Sequence, residues 1–376
     1  DGYRAERKQE WDEVHRYLFA TDTTKTGVGK LPWSNKTVIP KTCQIRDNLY
    51  ANYMATLFPT RKWLVWEGDS EENDTAEKKE NIVDFMSWVI DRNEFYEEFS
   101  KLVYDYLDYG NIFATVDWKD NSKSVSGSGK DRYGYNGPAI VRISPLDIVF
   151  NPTASSFEDS PKIVRSIVSL GEVKDMLEKL HPMRLNEDGT GPDEEYTSAQ
   201  SLYDYMLSIR DKVMQHNGDT VAKDTIYEVA GFGSFRDYLA SGNVEVLTFY
   251  GDIYDTESGT YKRNRIIKVV DRHIVISDIE NPSLFGKDVL FHVGWRTRPD
   301  NLWAMGPFDN LIGMQYRIDH LENIKADMFD IIAMPPVKIK GDVEAFTWAP
   351  FEQIICGDNG DVEVLKADSA ALNADT

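Results

Sequence analysis

The chain has 376 residues, 41% hydrophobic and 12% aromatic, enough to bury a sizeable core shared by roughly two or three domains. Its 63 acidic against 42 basic residues give a formal charge of -21, which argues against a surface that grips nucleic acid by counterion release, although an acidic protein still suits a task of letting DNA slide past. Two cysteines, Cys43 and Cys356, exclude a disulfide framework and fit assembly in a reducing cytoplasm; no apolar run approaches a membrane span, and the first residues lack signal-peptide form. With no initial Met and an abrupt end at Thr376, the chain reads as a fragment or the ordered part of something longer.

In chain order, residues 3–20 read as an amphipathic helix with Trp11, Val14, Tyr17 and Leu18 on one side, and 21–40 as a loop rich in Thr, Lys and Gly. A second helix covers about 41–57 and stops at Phe58-Pro59; a short apolar strand, 63–66, follows. An acidic connector leads into a helix over about 76–92, with Ile82, Phe85, Met86, Val89 and Ile90 inward. Another helix spans 95–108, with Gly110 as its natural stop. From Asn111 the period changes to two: a strand over 112–118, an exposed loop or hairpin tip, a returning strand over 139–143 and a third over 148–150 between Pro-containing turns. Residues 161–170 read as a strand, 171–180 as a short helix, 183–198 as a polar loop and 198–215 as a helix; a second β-rich region of four strands covers about 243–295.

The longest uninterrupted helical pattern lies within Trp303 to Pro336. Gly306-Pro307 supplies a start, Asp309 lies in the first turn where negative charge meets unpaired N–H groups, and Pro335-Pro336 closes it. Leu311, Met314, Ile318, Leu321, Met328 and Ile332 recur at three- and four-residue steps and stack on one face, interrupted only by Lys325. The other face carries Arg317, Asp319, His320, Asn323, Asp327 and Asp330, so this rod of roughly 35 Å is expected to be wet and net acidic on one side. Short strands return over 336–356. Helices, β, helix, β, long helix, β is the order of an α+β fold, not of an alternating nucleotide-binding sheet.

Catalytic patterns are missing. Ser126-Gly127-Ser128-Gly129-Lys130 lacks the first Gly and the final Ser/Thr of a phosphate loop, Gly27-Val28-Gly29-Lys30 fails the same test, and Gly231-Phe232-Gly233 lacks the third Gly of a dinucleotide fingerprint. The six histidines include no pair spaced for one helical face, so no metal or cofactor is expected, and no nucleophile elbow is present. Asp69, Glu71, Glu72 and Asp74 read as a solvated connector in preference to a cation site. Arg61-Lys62-Trp63 and Trp295-Arg296-Thr297-Arg298 mix aromatic and basic residues as a single-strand platform does, but core or subunit-interface roles for the tryptophans fit the net charge better.

Four stretches, 45–68, 95–118, 141–154 and above all 292–344 (HVGWRTRPDNLWAMGPFDNLIGMQYRIDHLENIKADMFDIIAMPPVKIKGDVE), together resemble the portal proteins of tailed bacteriophages, in particular those of short-tailed phages. The likeness rests on their order and spacing over most of the chain, not on a catalytic signature. It implies a non-enzymatic subunit of a ring of roughly twelve copies at the head-tail vertex of a virion, assembled in the bacterial cytoplasm, with a channel for double-stranded DNA. The implied partners are other copies of the chain, the terminase large subunit, tail adaptor proteins and the capsid or scaffolding proteins, with no membrane. It divides the chain into an N-terminal arm (1–40), a wing (41–200), a helical connection (201–242), a β-rich clip (243–298), a stem helix (299–334) and a return to the wing (335–376). Family members continue into a channel-lining helix, tunnel loop and crown; the crown is expected to be missing from this chain. Under this reading Asp319, Asn323, Asp327 and Asp330 face the channel, where carboxylates keep DNA from sticking, and Leu311, Met314, Ile318, Leu321 and Met328 pack the stem. Competing readings are another protein of the head-tail junction, such as an adaptor or minor head protein, and a metal-dependent hydrolase using scattered carboxylates.

Overall fold

The computed structural model describes residues 5–19, 34–60, 63–68, 75–120, 135–181, 199–214, 242–256, 259–283, 289–344 and 354–365. The runs 126–130, 27–30 and 231–233, the acidic residues 69–74 and the polar loop 183–198 lie outside them. The chain forms two compact units, one of 1–19 with 43–309 and the other of 20–42 with 310–376.

The first unit contains helices α1 (Ala5–Phe19), most of α2 (Lys41–Leu57), α3 (Ala76–Arg92) and α4 (Phe95–Asp108). Then come strands β1 (Asn111–Asp120), β2 (Asn136–Ile143), β3 (Ile148–Phe150) and β4 (Lys162–Ser169), helices α5 (Leu170–Leu180) and α6 (Ala199–Met214), and strands β5 (Asn243–Asp255), β6 (Thr260–Val270), β7 (Ile274–Glu280), β8 (Leu290–Gly294), β9 (Arg296–Arg298) and β10 (Asn301–Met305). All sheets are antiparallel: β2-β1-β8, β3-β4-β5-β6-β7 and the pair β9-β10. The fold is mixed α and β with segregated elements, an α+β arrangement.

Two large cores and a smaller cluster of Val89, Tyr135 and Ala139 lie among the described residues of this unit. Phe113, directly opposite both Ile143 and His292 across the sheet, is fully buried; its ring sits 5.7 Å from those of Phe150 and Phe157 and stacks 4.7 Å from His292. Trp11 of α1 meets Tyr109 and Trp303 edge-on, each at 5.3 Å, the arrangement aromatic quadrupoles favour. In the second core Val173 and Leu177 of α5 and Met206 of α6 cover Val244, Val246, Val270, Ile274 and Ile276 of the five-stranded sheet. A capping box starts α5: the Ser169 hydroxyl accepts from the Glu172 amide, and the Ser169 amide donates to the Glu172 carboxylate.

The end of α4 meets the end of β10 backbone to backbone. Gly110 has φ +70, and a Cβ there would lie 2.4 Å from the Gly306 nitrogen, so only glycine allows the approach. Beside it the buried Asn111 amide donates to the carbonyls of Tyr109 and Ala304 and its oxygen accepts from the Ala304 amide, satisfying backbone groups that no sheet partner reaches.

Several expectations are corrected. Residues 63–66 are not a strand, and Val65 is 78% exposed. Val89 and Ile90 of α3 are buried as expected, but Phe85 and Met86 are exposed. The four strands of 243–295 do not form a module of their own: β5, β6 and β7 extend the sheet begun by β3 and β4, while β8 completes the sheet of β1 and β2. A strand can choose a partner far away in sequence, and alternation alone carries no information about which one.

Candidate functional site

The second unit is built on the long helix, α7 (Ile312–Ala333), followed by a two-stranded sheet of β11 (Val337–Lys340) and β12 (Asp361–Val364). The helix begins later than the sequence pattern suggests. Phe308–Asn310 is a separate 3-10 turn, in which the Asp309 carboxylate accepts from the Gly306 amide and pairs with Arg7 at 3.0 Å. Asp309 therefore caps this short turn and not α7 itself, because a single 3-10 turn consumes the residues that would have opened a continuous helix.

Gln315, Asp319, Asn323 and Asp327 stand four residues apart, so their side chains form one stripe along α7. An extended strap, residues 35–40, runs antiparallel along it and leads into α2. The Asn35 amide donates to Asp327 at 2.6 Å, the Thr37 amide to the Asn323 oxygen at 2.9 Å, and the Ile39 amide to Asp319 at 2.9 Å. Carbonyls are matched too: Asn323 donates to Thr37 at 2.9 Å and Gln315 to Ile39 at 2.6 Å. Asn35 adds side-chain bonds to Asp327 and Asp330, and the Thr42 amide reaches Gln315 at 3.3 Å.

The fit has a geometric cause. Two residues of extended chain advance about 6.6 Å and four residues of helix about 6 Å, so every second strap residue meets every fourth helix residue. Pro40 has no N–H, and the next rung falls at Thr42, inside the first turn of α2. The stripe is further braced within the helix, where Gln315 donates to Asp319 and Asn323 to the Asp319 carbonyl.

This arrangement gives part of the polar face a role other than the expected one. Asp319, Asn323 and Asp327, expected to be wet and to face a channel, hold the chain's own backbone, and Asn323 is only 5% exposed, whereas Asp330 meets only the Asn35 side chain and stays exposed. The side chains of Asp319, Asn323 and Asp327 accept backbone N–H groups that would otherwise lack partners, and that engagement leaves Asn323 buried and the two aspartates half-buried. Gln315, absent from the expected set, is the other buried residue of the helix. Its signal was present in the sequence: an amide carries both donor and acceptor and so suits a peptide group, where a wall meant only to repel phosphate needs carboxylates alone.

The apolar residues lie on the opposite side by the helical period. Leu311, Ile318, Leu321 and Met328 are half-buried, whereas Met314 is 61% exposed, and Phe329 and Ile332 are exposed as well. The polar residues of α7 that are open to solvent include Arg317, His320 and Glu322.

Among the described residues no group of three or more His, Cys, Asp or Glu side chains is arranged to hold a metal ion, and no helix is long and apolar enough to cross a membrane. Cys43 is half-buried and Cys356 exposed, both as free thiols. His292 stacks on Phe113 and donates through Nε2 to the Asn111 oxygen; burial holds its pKa down at about 4, so it serves as a neutral core residue. No protein-family model matches the chain, and no curated protein matches it at a significant level.

Proposed function

We propose that this chain is the subunit of a phage portal, the ring at the unique head vertex through which double-stranded DNA is packaged and later leaves. The observation that carries the reading is the inverted exposure of α7: its polar stripe is covered by its own chain, while Met314 and Phe329, both 61% exposed, stand open on the far side. A helix of this length with an uncovered apolar side is complete only against another surface, and neighbouring copies in a ring supply one. The order of elements, with a β-rich stretch before a long helix, and the charge of -21 agree with a conduit that does not hold DNA.

In this reading the work is positional. The ring docks the terminase during packaging and adaptor proteins afterwards, and the ATP-driven motor provides the energy. The carboxylates of α7 clasp the strap and are not the lining of the channel. Sedimentation velocity tests the assembly: the purified chain at tens of micromolar is expected to sediment as a large closed oligomer, and Phe329→Asp to shift it to monomer by placing a charge in the subunit contact. A wild-type chain that remains monomeric, or an oligomer indifferent to Phe329→Asp, contradicts the proposed contact.

A further inference from the structure

The two strands that follow α7 make an unfinished sheet. β11 and β12 pair antiparallel, with Val337 opposite Val364, Lys338 opposite Glu363, Ile339 opposite Val362 and Lys340 opposite Asp361. Because side chains alternate along a strand, the four aliphatic residues share one face and the four charged residues the other. On the charged face the Lys338 ammonium lies 3.7 Å from the Glu363 carboxylate. A two-stranded ribbon is at best marginally stable in water, and a third strand or a packed layer normally completes it. The aliphatic face of this one stays open: Ile339 is 52% and Val364 39% exposed.

Both edges are open as well. Among the described residues β11 pairs only with β12, and β12 only with β11. One bond shows which backbone groups point outward. The Leu365 amide donates to the Pro336 carbonyl at 3.0 Å, so 336 and 365 form a hydrogen-bonded pair. In an antiparallel ladder such pairs alternate with pairs that exchange no bonds, so Lys338 with Glu363 and Lys340 with Asp361 bond inward. The N–H and C=O groups of Val337 and Ile339 therefore point out from one edge, and those of Val362 and Val364 from the other. Such edges are templates for pairing with another chain.

The charges select the partner and the direction. β11 carries only lysines, Lys338 and Lys340, and β12 only acids, Asp361 and Glu363. Joining two copies by β11 to β11 sets lysine against lysine, and by β12 to β12 sets carboxylate against carboxylate; like charges directly opposite destabilise a sheet. Joining β11 of one copy to β12 of the next sets lysines against acids and repeats the register already present within the ribbon. Strand direction agrees. Copies related by rotation about an axis along the strands place β11 antiparallel to the next β12 and keep every aliphatic face on the same side. A contact of this head-to-tail kind closes into a ring when the rotation closes. Lysine on an edge strand ordinarily discourages pairing, and here it discourages only the like-charged pairings.

We propose that a second copy of this chain completes the ribbon, β11 of one copy adding to β12 of the next, so that the ribbons form one continuous antiparallel sheet around the assembly. The inference rests on the assembly proposed above. It adds a contact to the one made by the apolar side of α7, and the order of lysines and carboxylates sets the direction round the ring.

A charge exchange tests it. Lys338→Glu, Lys340→Glu, Asp361→Lys and Glu363→Lys together swap the two columns, leave the net charge unchanged and keep the ribbon's own pairs complementary. The variant is expected to hold the wild-type thermal midpoint and to form the same oligomer by itself in sedimentation velocity. It is not expected to mix with the wild type, because each mixed contact sets like charges against each other. After co-expression at low ionic strength, capture through a tag on the wild type is expected to retain at least about tenfold less variant than untagged wild type. Free mixing overturns the contact, as does a folded variant that stays monomeric beside an assembling wild type. Hydrogen exchange resolved to single amides in the wild-type oligomer gives a second reading that needs no variant. Val337, Ile339, Val362 and Val364 are expected to exchange at least about tenfold more slowly than in unstructured peptides of the same sequence. Unprotected amides at these four positions in the oligomer overturn the proposal and leave the assembly standing, whereas a wild-type chain that never assembles removes both.

Discussion

Asn323→Ala separates a clasp from a channel wall. The Asn323 side chain makes two bonds to Thr37, its oxygen accepting from the amide and its nitrogen donating to the carbonyl, both at 2.9 Å. Alanine removes both and leaves the Thr37 peptide group without its partners. At about 1 kcal/mol for each neutral hydrogen bond, docking of the strap weakens by about 2 kcal/mol. Alanine is also the better helix former by a few tenths of a kcal/mol, so α7 itself is not expected to melt. Since 1.4 kcal/mol is a factor of ten, local opening of the strap becomes about thirtyfold more frequent. Hydrogen exchange read by mass spectrometry on peptides covering 34–42 reports this directly, because the amides of Asn35, Thr37 and Ile39 are the protected ones. The exposed Arg317 serves as a control, and Arg317→Ala is expected to leave those peptides unchanged. Equal exchange of 34–42 in wild type and Asn323→Ala would refute the clasp.

Three other outcomes are expected. Asp319→Lys combined with Asp327→Lys replaces two acceptors by donors and should release the strap, seen as faster proteolysis between 34 and 42 while the urea midpoint of the first unit holds. Gly110→Ala places a methyl 2.4 Å from the Gly306 nitrogen at a φ of +70, so a loss of at least about 3 kcal/mol in urea unfolding is expected. His292, with its folded pKa near 4 against an unfolded value of 6.5, contributes stability that is fully present above pH 6.5 and is lost as pH falls toward 4, at most about 3 kcal/mol. His292→Phe should therefore flatten the fall of the thermal midpoint between pH 6.5 and 4. His15 acts in the same direction and Asp105, its pKa pushed up to about 6 by burial against the opposing pull of Arg142, in the other, so the comparison is between variant and wild type and not with a flat line.

Local elements are largely legible in the sequence because their causes are local. Phe58-Pro59 ends α2 and Gly110 ends α4, and alternation marks β1, β2 and β4. Partner choice is not local: β8 carries nothing in its own residues that says it will lie beside β1 and not beside β7. The long helix teaches the same lesson more sharply. Its two faces are visible in the spacing, but a polar face is wet only when nothing else covers it. The covering strap, 35–40, is nearly 300 residues away in sequence and shows only a Pro as a hint of extended chain. Amides at 315 and 323 among the aspartates were the part of the pattern that distinguishes a peptide-binding stripe from a repulsive one.

Negative-stain electron microscopy of the purified chain at high concentration tests the central claim most directly. Rings with an open centre and a rotational symmetry of roughly twelve are expected if this chain is a portal subunit. Monodisperse single particles without rings, at concentrations where the exposed Met314 and Phe329 side should already be buried, would contradict it.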